Sequence, residues 1–351
     1  MLENLDKVEW SILTHAYGTA EDVPKQISDL AALDDKTRKA GYSALYCTIC
    51  HQGSRYQASA LTVSFLFELL NDQNVPDRAQ VIYLLVHLAV GCPDYYVPSG
   101  FDPDREFPNV SNLRSIEREA NAAYKKLCAA SEDARIELTA DESDLANRVY
   151  ELWACDAYKA VERKASMFHR LTDDSQSEVR IAALYAISFF PMCAEESTRV
   201  SLRVIHSPDT SPLIRGHALL TLGITDTYLK TQRNMPLFES YLQGTDALVR
   251  MCASLAMLTR SIQSGSLSFR RESIGNNNGR DSESWNLPEK EPAPLVVRQT
   301  AGLFCGSITH AKAKERHTHC SNALGRNKSN STKSFFAVSQ RVAELYLSCP
   351  A

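Results

Sequence analysis

The strongest constraint on the fold of this chain is an internal repeat with a period of 35 residues. Arg180, Arg215 and Arg250 follow one another at that interval. Each arginine stands in the same local pattern, in which Val or Ile precedes it and Ala follows three residues later. In each copy the apolar positions fall at i, i+4 and i+8, which places them along one stripe of a helix. The repeat therefore predicts a series of similar helical units.

The same interval extends to the helix that precedes each arginine. Met167, Leu202 and Leu237 are again 35 residues apart. A unit of two helices with one apolar stripe cannot bury that stripe by itself, whereas stacked units bury it against one another. The sequence thus predicts an all-α fold, an α-solenoid built from stacked antiparallel helix pairs.

A fourth copy of the pattern surrounds Arg298, but it follows after 48 residues instead of 35. The extra length coincides with residues 264–292, which are rich in Ser, Gly, Asn and Glu and predict a flexible insertion. We therefore predict one helical array over residues 1–305. A basic polar segment of low order, 306–334, and a short C-terminal helix within 335–351 would follow it.

Helical periodicity dominates the sequence as far as residue 262. A proline-rich stretch, 91–111, predicts a long loop. The predicted helices are 3–15, 22–33, 36–50, 56–71, 76–90, 112–130, 142–171, 177–190, 195–206, 212–223, 234–243 and 247–262.

An aspartate precedes the arginine by six residues in three of the units. The three pairs are Asp72 and Arg78, Asp174 and Arg180, and Asp209 and Arg215. This spacing, across a turn and into the second helix, resembles the HEAT repeat. The resemblance implies that these side chains form a ladder of hydrogen bonds and ion pairs between adjacent repeats, which Arg250 and Arg298 would continue. The later units depart from the pattern, because Gly244 (with Asp246 nearby) and Pro292 stand at the aspartate position.

A second resemblance lies near the N-terminus. The stretch from Trp10 to Pro24 and the stretch from His51 to Ser59 resemble a mainly bacterial group of HEAT-repeat domain proteins. The resemblance implies the helical-repeat fold and no particular activity.

These two stretches also supply the candidate binding residues. Both follow predicted helices (3–15 and 36–50) that would be neighbours in an array, so their polar and aromatic groups could converge on one ligand. The alternative is structural: Gly18 and Gly53 would cap the helix ends while His and Tyr side chains hydrogen-bond across the turns. The candidate partner-binding residues are His15, Tyr17, His51, Gln52, Arg55 and Tyr56.

No nucleophile elbow, phosphate loop or metalloprotease motif is present in the sequence, so we assign no catalytic residue and no cofactor. We expect a non-catalytic scaffold that binds a protein or peptide partner on the solenoid surface. One alternative is a small-ligand or enzymatic site at His15 and His51. Another is nucleic-acid contact through the basic segment 306–334, although the net charge of −4 lacks the footprint of a dedicated nucleic-acid binder.

The cysteines and histidines allow two further interpretations. Cys47-Thr-Ile-Cys50-His51 matches the haem attachment pattern of c-type cytochromes. The N-terminus lacks a secretory signal, and no apolar run is long enough to span a membrane. We therefore predict a cytoplasmic protein whose cysteines are reduced core residues. His310, His317, His319 and Cys320 fit no standard zinc framework, so no metal site is assigned.

Overall fold

The computed structural model describes residues 2–97, 99–132 and 135–263. Within these ranges the chain is mostly helical, with a single two-stranded hairpin, as an all-α class requires. The predictions for residues 264–292, 306–334 and 335–351 lie outside the described residues, as does the repeat arginine Arg298.

The helices follow the predicted order from residue 22 onward, although the predicted helices 112–130 and 142–171 are each divided in two. They are α1 (Val23–Asp29), α2 (Asp35–Thr48), α3 (Gln57–Asn71), α4 (Arg78–Val90), α5 (Pro103–Glu106), α6 (Val110–Ser115), α7 (Glu117–Glu132), α8 (Ala140–Glu162), α9 (Ser166–Leu171), α10 (Ser177–Ile187), α11 (Ala194–His206), α12 (Pro212–Tyr228), α13 (Met235–Leu242) and α14 (Ala247–Gln263). The predicted loop over 91–111 contains the short helix α5 and a 3₁₀ turn, Pro93–Tyr96.

The predicted helix over residues 3–15 is wrong. That segment forms two 3₁₀ turns, Leu5–Lys7 and Trp10–Ile12, and then enters the hairpin of β1 (Thr14–His15) and β2 (Gly18–Thr19). The indole nitrogen of Trp10 donates to the carbonyl oxygen of Leu5 at 2.9 Å. An α-helix would use that carbonyl for the amide four residues later, so the buried indole replaces a helical hydrogen bond.

The chain divides into two compact units. The first comprises residues 1–96 and 101–193. In it, α3 and α4 both pack against the long helix α8, and α4 also packs against α10. Its core is strongly aromatic, with Phe101 stacked on Tyr158 at a centroid distance of 5.0 Å. Helices that are far apart in sequence therefore build this unit.

Among the described residues, the second unit comprises 97, 99–100 and 194–263. Helix α12 packs against both α11 and α14. Two glycines bring α12 close to α14: a Cβ on Gly223 would lie 2.7 Å from the Cα of Ala256, and one on Gly216 would lie 2.8 Å from the Sγ of Cys252. Small residues at both places thus set the separation of these helices.

Three of the repeat arginines, and Arg38 near the N-terminus, bind main-chain carbonyls that precede their own helix. Arg78 donates to the carbonyl of Leu70, and Arg38 donates to those of Ala32 and Leu33. Arg215 donates to the carbonyls of Ile205 and Ser207, and Arg250 to those of Gly244 and Thr245. Leu70 and Ile205 lie in the last turns of α3 and α11, where carbonyls lack intrahelical partners, so Arg78 and Arg215 cap those helices. Arg38 and Arg250 bind carbonyls of the turn beyond the preceding helix.

The aspartates named for the ladder have different kinds of partner. Arg78 forms its ion pair with Asp174 at 2.9 Å, while Asp72 accepts hydrogen bonds from Asn74. Within the described residues, the pairs Asp72–Arg78, Asp174–Arg180 and Asp209–Arg215 do not form ion pairs. The Nε of Arg180 is buried without a hydrogen-bond partner there. In the units of Arg78, Arg215 and Arg250, main-chain carbonyls accept from the arginine head.

Among the described residues, no single helix is both long and apolar enough to cross a membrane. Two consecutive helical segments, Ser177–Ile187 and Pro191–His206, reach that length and apolar composition when they are taken together, but the chain bends sharply between them.

Candidate functional site

The β1–β2 hairpin presents a two-residue loop, Ala16 and Tyr17, at the surface of the first unit. Thr14 pairs with Thr19 and His15 pairs with Gly18, whose φ of +124° lies in a region that L side chains rarely adopt. The amide of Ala16 donates to the carbonyl of Thr48, the last residue of α2, at 3.0 Å. The loop is therefore tied to a helix end that needs donors.

His15 holds the hairpin from inside. Its side chain is buried (5% exposed), and its Nδ1 accepts the backbone N–H of Tyr17 at 3.0 Å. An acceptor nitrogen carries no proton, so the neutral ring has its hydrogen on Nε2 and donates it to Asp22 Oδ1 at 2.8 Å. Both ring nitrogens are therefore committed to positioning the loop.

Tyr17 points outward from this support. It is 67% exposed, yet its hydroxyl lies 3.3 Å from Nδ1 of His51. The two rings meet edge to face with centroids 5.4 Å apart. His15, Tyr17 and His51 thus come together as the motifs predicted, although by a hairpin and a turn instead of two helix ends.

The turn after α2 exposes a fourth candidate. Gln52 is exposed and adopts a left-handed conformation, with φ at 51°. Gly53 follows with φ at +82°, and a Cβ there would lie 2.5 Å from the Sγ of Cys92. Two consecutive left-handed residues fix the direction in which the turn leaves the helix, so Gln52 is held at the surface beside His51.

The last two candidates, Arg55 and Tyr56, point into the protein, which corrects their assignment to a partner-binding surface. The Nη1 of Arg55 donates to the carbonyl of Gly53, and its Nε is buried without a hydrogen-bond partner among the described residues. A Cβ on Gly91 would overlap the guanidinium. Burial lowers the pKa of Arg55.

Tyr56 belongs to an aromatic cluster in the core of the first unit. It is 6% exposed, and its ring lies 5.6 Å from that of Tyr150 and 6.5 Å from that of Trp153. Burial raises the pKa of its phenol to about 12. The aromatic side chain that the motif offered as an anchor is therefore used for packing between α3 and α8.

The Cys47–Cys50 pair has two different environments. Cys47 is exposed, whereas Cys50 is buried and its Sγ donates to the carbonyl of His87 at 3.4 Å. Burial raises the pKa of the Cys50 thiol to about 12, so its thiolate is strongly disfavoured. The haem-attachment interpretation needs two accessible thiols, and this geometry offers one.

The described residues also include a polar cleft of about 430 Å³ in the first unit. The Arg78–Asp174 ion pair lies against it, together with Asn71, Gln73, Arg170 and Ser175. The turns that end α3 and α9 form its walls. No sequence motif marks this cleft, because its residues come from turns about 100 positions apart and only the fold brings them together.

The acidic partner of the hairpin, Asp22, carries no sequence signal. It accepts from His15 and, through Oδ2, from the side-chain amide of Gln26 at 2.7 Å. The spacing of seven residues between His15 and Asp22 does not indicate their contact. Comparisons of the chain with protein-family models, with curated proteins and with solved structures found no match.

Proposed function

We propose that this protein is a non-catalytic interaction scaffold that binds a protein or peptide partner. The contact region is the exposed group formed by Tyr17, His51 and Gln52, here named the Tyr17 surface. It lies on a body that we propose to be a HEAT-like α-solenoid, a fold whose extended surfaces suit partner binding.

A single observation carries the proposal, namely that Tyr17 is largely exposed and yet fixed. Its backbone amide is bound by the buried His15, and its ring is held at 5.4 Å from His51. A rigid exposed tyrosine offers a large amphipathic contact area. Because its side chain is already fixed in the unbound protein, binding a partner loses little further conformational entropy. Tyrosine is among the residue types that dominate the energy of interfaces.

The repeated arginine caps support the solenoid part of the proposal. Arg78 and Arg215 each bind the end of the helix before their own, and Arg38 and Arg250 bind the turn that leads into their own helix. The same local device in successive helix pairs is what a repeat architecture predicts.

A binding role fits this site better than acid–base catalysis at His15 and His51. A general base needs a ring nitrogen within reach of the substrate proton. Both nitrogens of His15 are hydrogen-bonded to protein groups, and Nδ1 of His51 lies against the Tyr17 hydroxyl.

The test is quantitative co-purification of the full chain from its native cell. Tyr17→Ala should lose a partner that the wild type retains. Tyr95→Ala is the matched control, because Tyr95 is comparably exposed (60%) at another place on the same unit. The partner, once purified, should rebind the wild type and the control but not Tyr17→Ala. Equal recovery with all three proteins would refute the proposal.

A further inference from the structure

The hairpin that carries Tyr17 is bordered by a carboxylate whose charge no cation among the described residues neutralises. Asp22 is 54% exposed. Its two oxygens accept from Nε2 of His15 at 2.8 Å and from the amide of Gln26 at 2.7 Å. Because Nδ1 of His15 accepts a backbone N–H, the ring is neutral, and the amide is neutral as well. Asp22 is therefore held in place by uncharged donors while its negative charge faces solvent.

The adjoining residues add to this negative charge. Glu21 is exposed immediately after the hairpin. The nearest lysine along the chain, Lys25, directs its ammonium group to Asp29 at 2.6 Å. The lysine charge is thus turned along α1 instead of toward the hairpin.

The charge of the whole helical body has the same sign. Residues 1–263 contain 26 Lys and Arg residues against 35 Asp and Glu residues, which gives a formal charge of −9. The remaining 88 residues contain 12 Lys and Arg residues against 7 Asp and Glu residues, which gives a formal charge of +5. Residues 1–263 therefore attract a positively charged partner at long range, which increases the rate constant of association.

We propose that the partner of the Tyr17 surface is a basic peptide segment, and that one of its Arg or Lys side chains lies over the ring of Tyr17. Cations are attracted to the face of a tyrosine ring, and Asp22 and Glu21 supply the carboxylates for a charge-assisted contact beside it. Arginine fits both parts, since its planar guanidinium stacks on aromatic rings and forks toward carboxylates. This inference rests on the proposed function, because it names the chemistry of the partner at the same surface.

The test uses the full chain, immobilised, and an array of random-sequence peptides of about 12 residues, long enough for a standard binding patch to show its preference. Peptides that bind the wild type but not Tyr17→Ala are selected. They should be enriched in Arg and Lys. Replacing their key arginine by citrulline, which keeps the shape and removes the charge, should weaken binding about three- to tenfold.

The matching change on the protein should remove this discrimination. With Asp22→Asn, which keeps an acceptor for His15, arginine and citrulline peptides should bind more nearly alike. Glu21→Gln provides a second variant, since Glu21 is exposed and its replacement leaves the hairpin contacts in place. Asp104→Asn, at an exposed acid elsewhere on the same unit, should leave the discrimination unchanged.

Two outcomes separate this inference from the proposed function. If the selected peptides depend on Tyr17 but show no excess of basic residues, or bind equally with citrulline, the basic-partner inference is overturned and the proposed function stands. If binding of no peptide depends on Tyr17, the proposed function fails and the inference fails with it.

Discussion

Arg78 and Asp174 form a buried ion pair, with Nη1 and Oδ2 at 2.9 Å, although 96 positions separate them in the chain. Each partner also binds the backbone: Arg78 donates to the carbonyl of Leu70, and Asp174 accepts from the amide of Gln176. The pair therefore joins the turn after α3 to the turn before α10.

Breaking this pair should be strongly destabilising. Arg78→Met removes the cation and leaves a buried carboxylate without its partner, which costs about 3–5 kcal/mol of unfolding free energy. Chemical denaturation followed by circular dichroism measures the change. The control is Arg114→Met, which breaks the more exposed Arg114–Asp156 pair and should cost less than about 1 kcal/mol. Similar losses for both variants would contradict the structural role given to Arg78.

The hairpin should depend on His15 and not on Tyr17. His15→Ala removes a buried ring and leaves the Tyr17 amide and Asp22 without their partner, so we expect a loss of about 1–3 kcal/mol. Tyr17→Ala truncates an exposed ring and should change stability by less than about 0.5 kcal/mol. Thermal melts of the two variants check this. A large loss for Tyr17→Ala would mean that its ring is structural.

The packing of α12 on α14 should tolerate no methyl group at Gly223. A Cβ there would lie within 2.9 Å of three backbone and Cβ atoms of Ala256, so Gly223→Ala forces the helices apart and should cost about 1–3 kcal/mol. Gly216→Ala meets mainly the movable Cys252 sulfur and should cost less. The reverse order of the two melting temperatures would contradict this packing.

Stability should fall as the solution is acidified from neutral pH. Burial lowers the pKa of His87 and of His217 to about 4 in the folded protein. The unfolded chain binds these protons near pH 6.5, so protonation stabilises the unfolded state as the pH falls from about 6.5 to 4. The free energy of unfolding therefore decreases by roughly 2 kcal/mol per histidine by pH 5. Below pH 4 both states are protonated, and the effect does not grow further.

Replacing one of these histidines should make the pH dependence shallower. His87→Asn keeps a donor near the position of Nδ1, which binds the carbonyl of Gly91 at 3.0 Å. We expect its unfolding free energy to fall less than that of the wild type between pH 6.5 and 5, while the two curves run parallel above pH 7. Equal slopes throughout would rule out His87 as a source of acid sensitivity.

The sequence predicted the order of the helices after residue 22 because their apolar periodicity agrees with the packing. Helix α12, for example, begins at Pro212, the first residue of a predicted helix, and Ser211 accepts from the amide of Ile214. The N-terminal segment has a similar spacing of apolar residues. There, two 3₁₀ turns and a hairpin form instead, and the Trp10 indole binds the Leu5 carbonyl that a helix would use. Periodicity does not report such a contact.

At the candidate site, the sequence likewise identified the turns but not which side chains are buried. The motifs correctly singled out the turns that bring His15, Tyr17 and His51 together. Residue type alone could not separate Tyr17, which faces solvent, from Tyr56, which fills the aromatic core. Likewise, the regular spacing identified the arginines, but their partners are backbone carbonyls, which carry no mark in a sequence.

The long separation of Arg78 and Asp174 has a consequence during synthesis. A ribosome that adds about 5–20 residues per second needs roughly 5–20 seconds to make the chain between the two charges. Throughout that interval the nascent chain contains α3 and α4 with apolar faces that await α8 and α10. The N-terminal half is thus the part of the polypeptide that most needs protection by chaperones before release, and truncation ahead of α10 should yield an aggregating fragment.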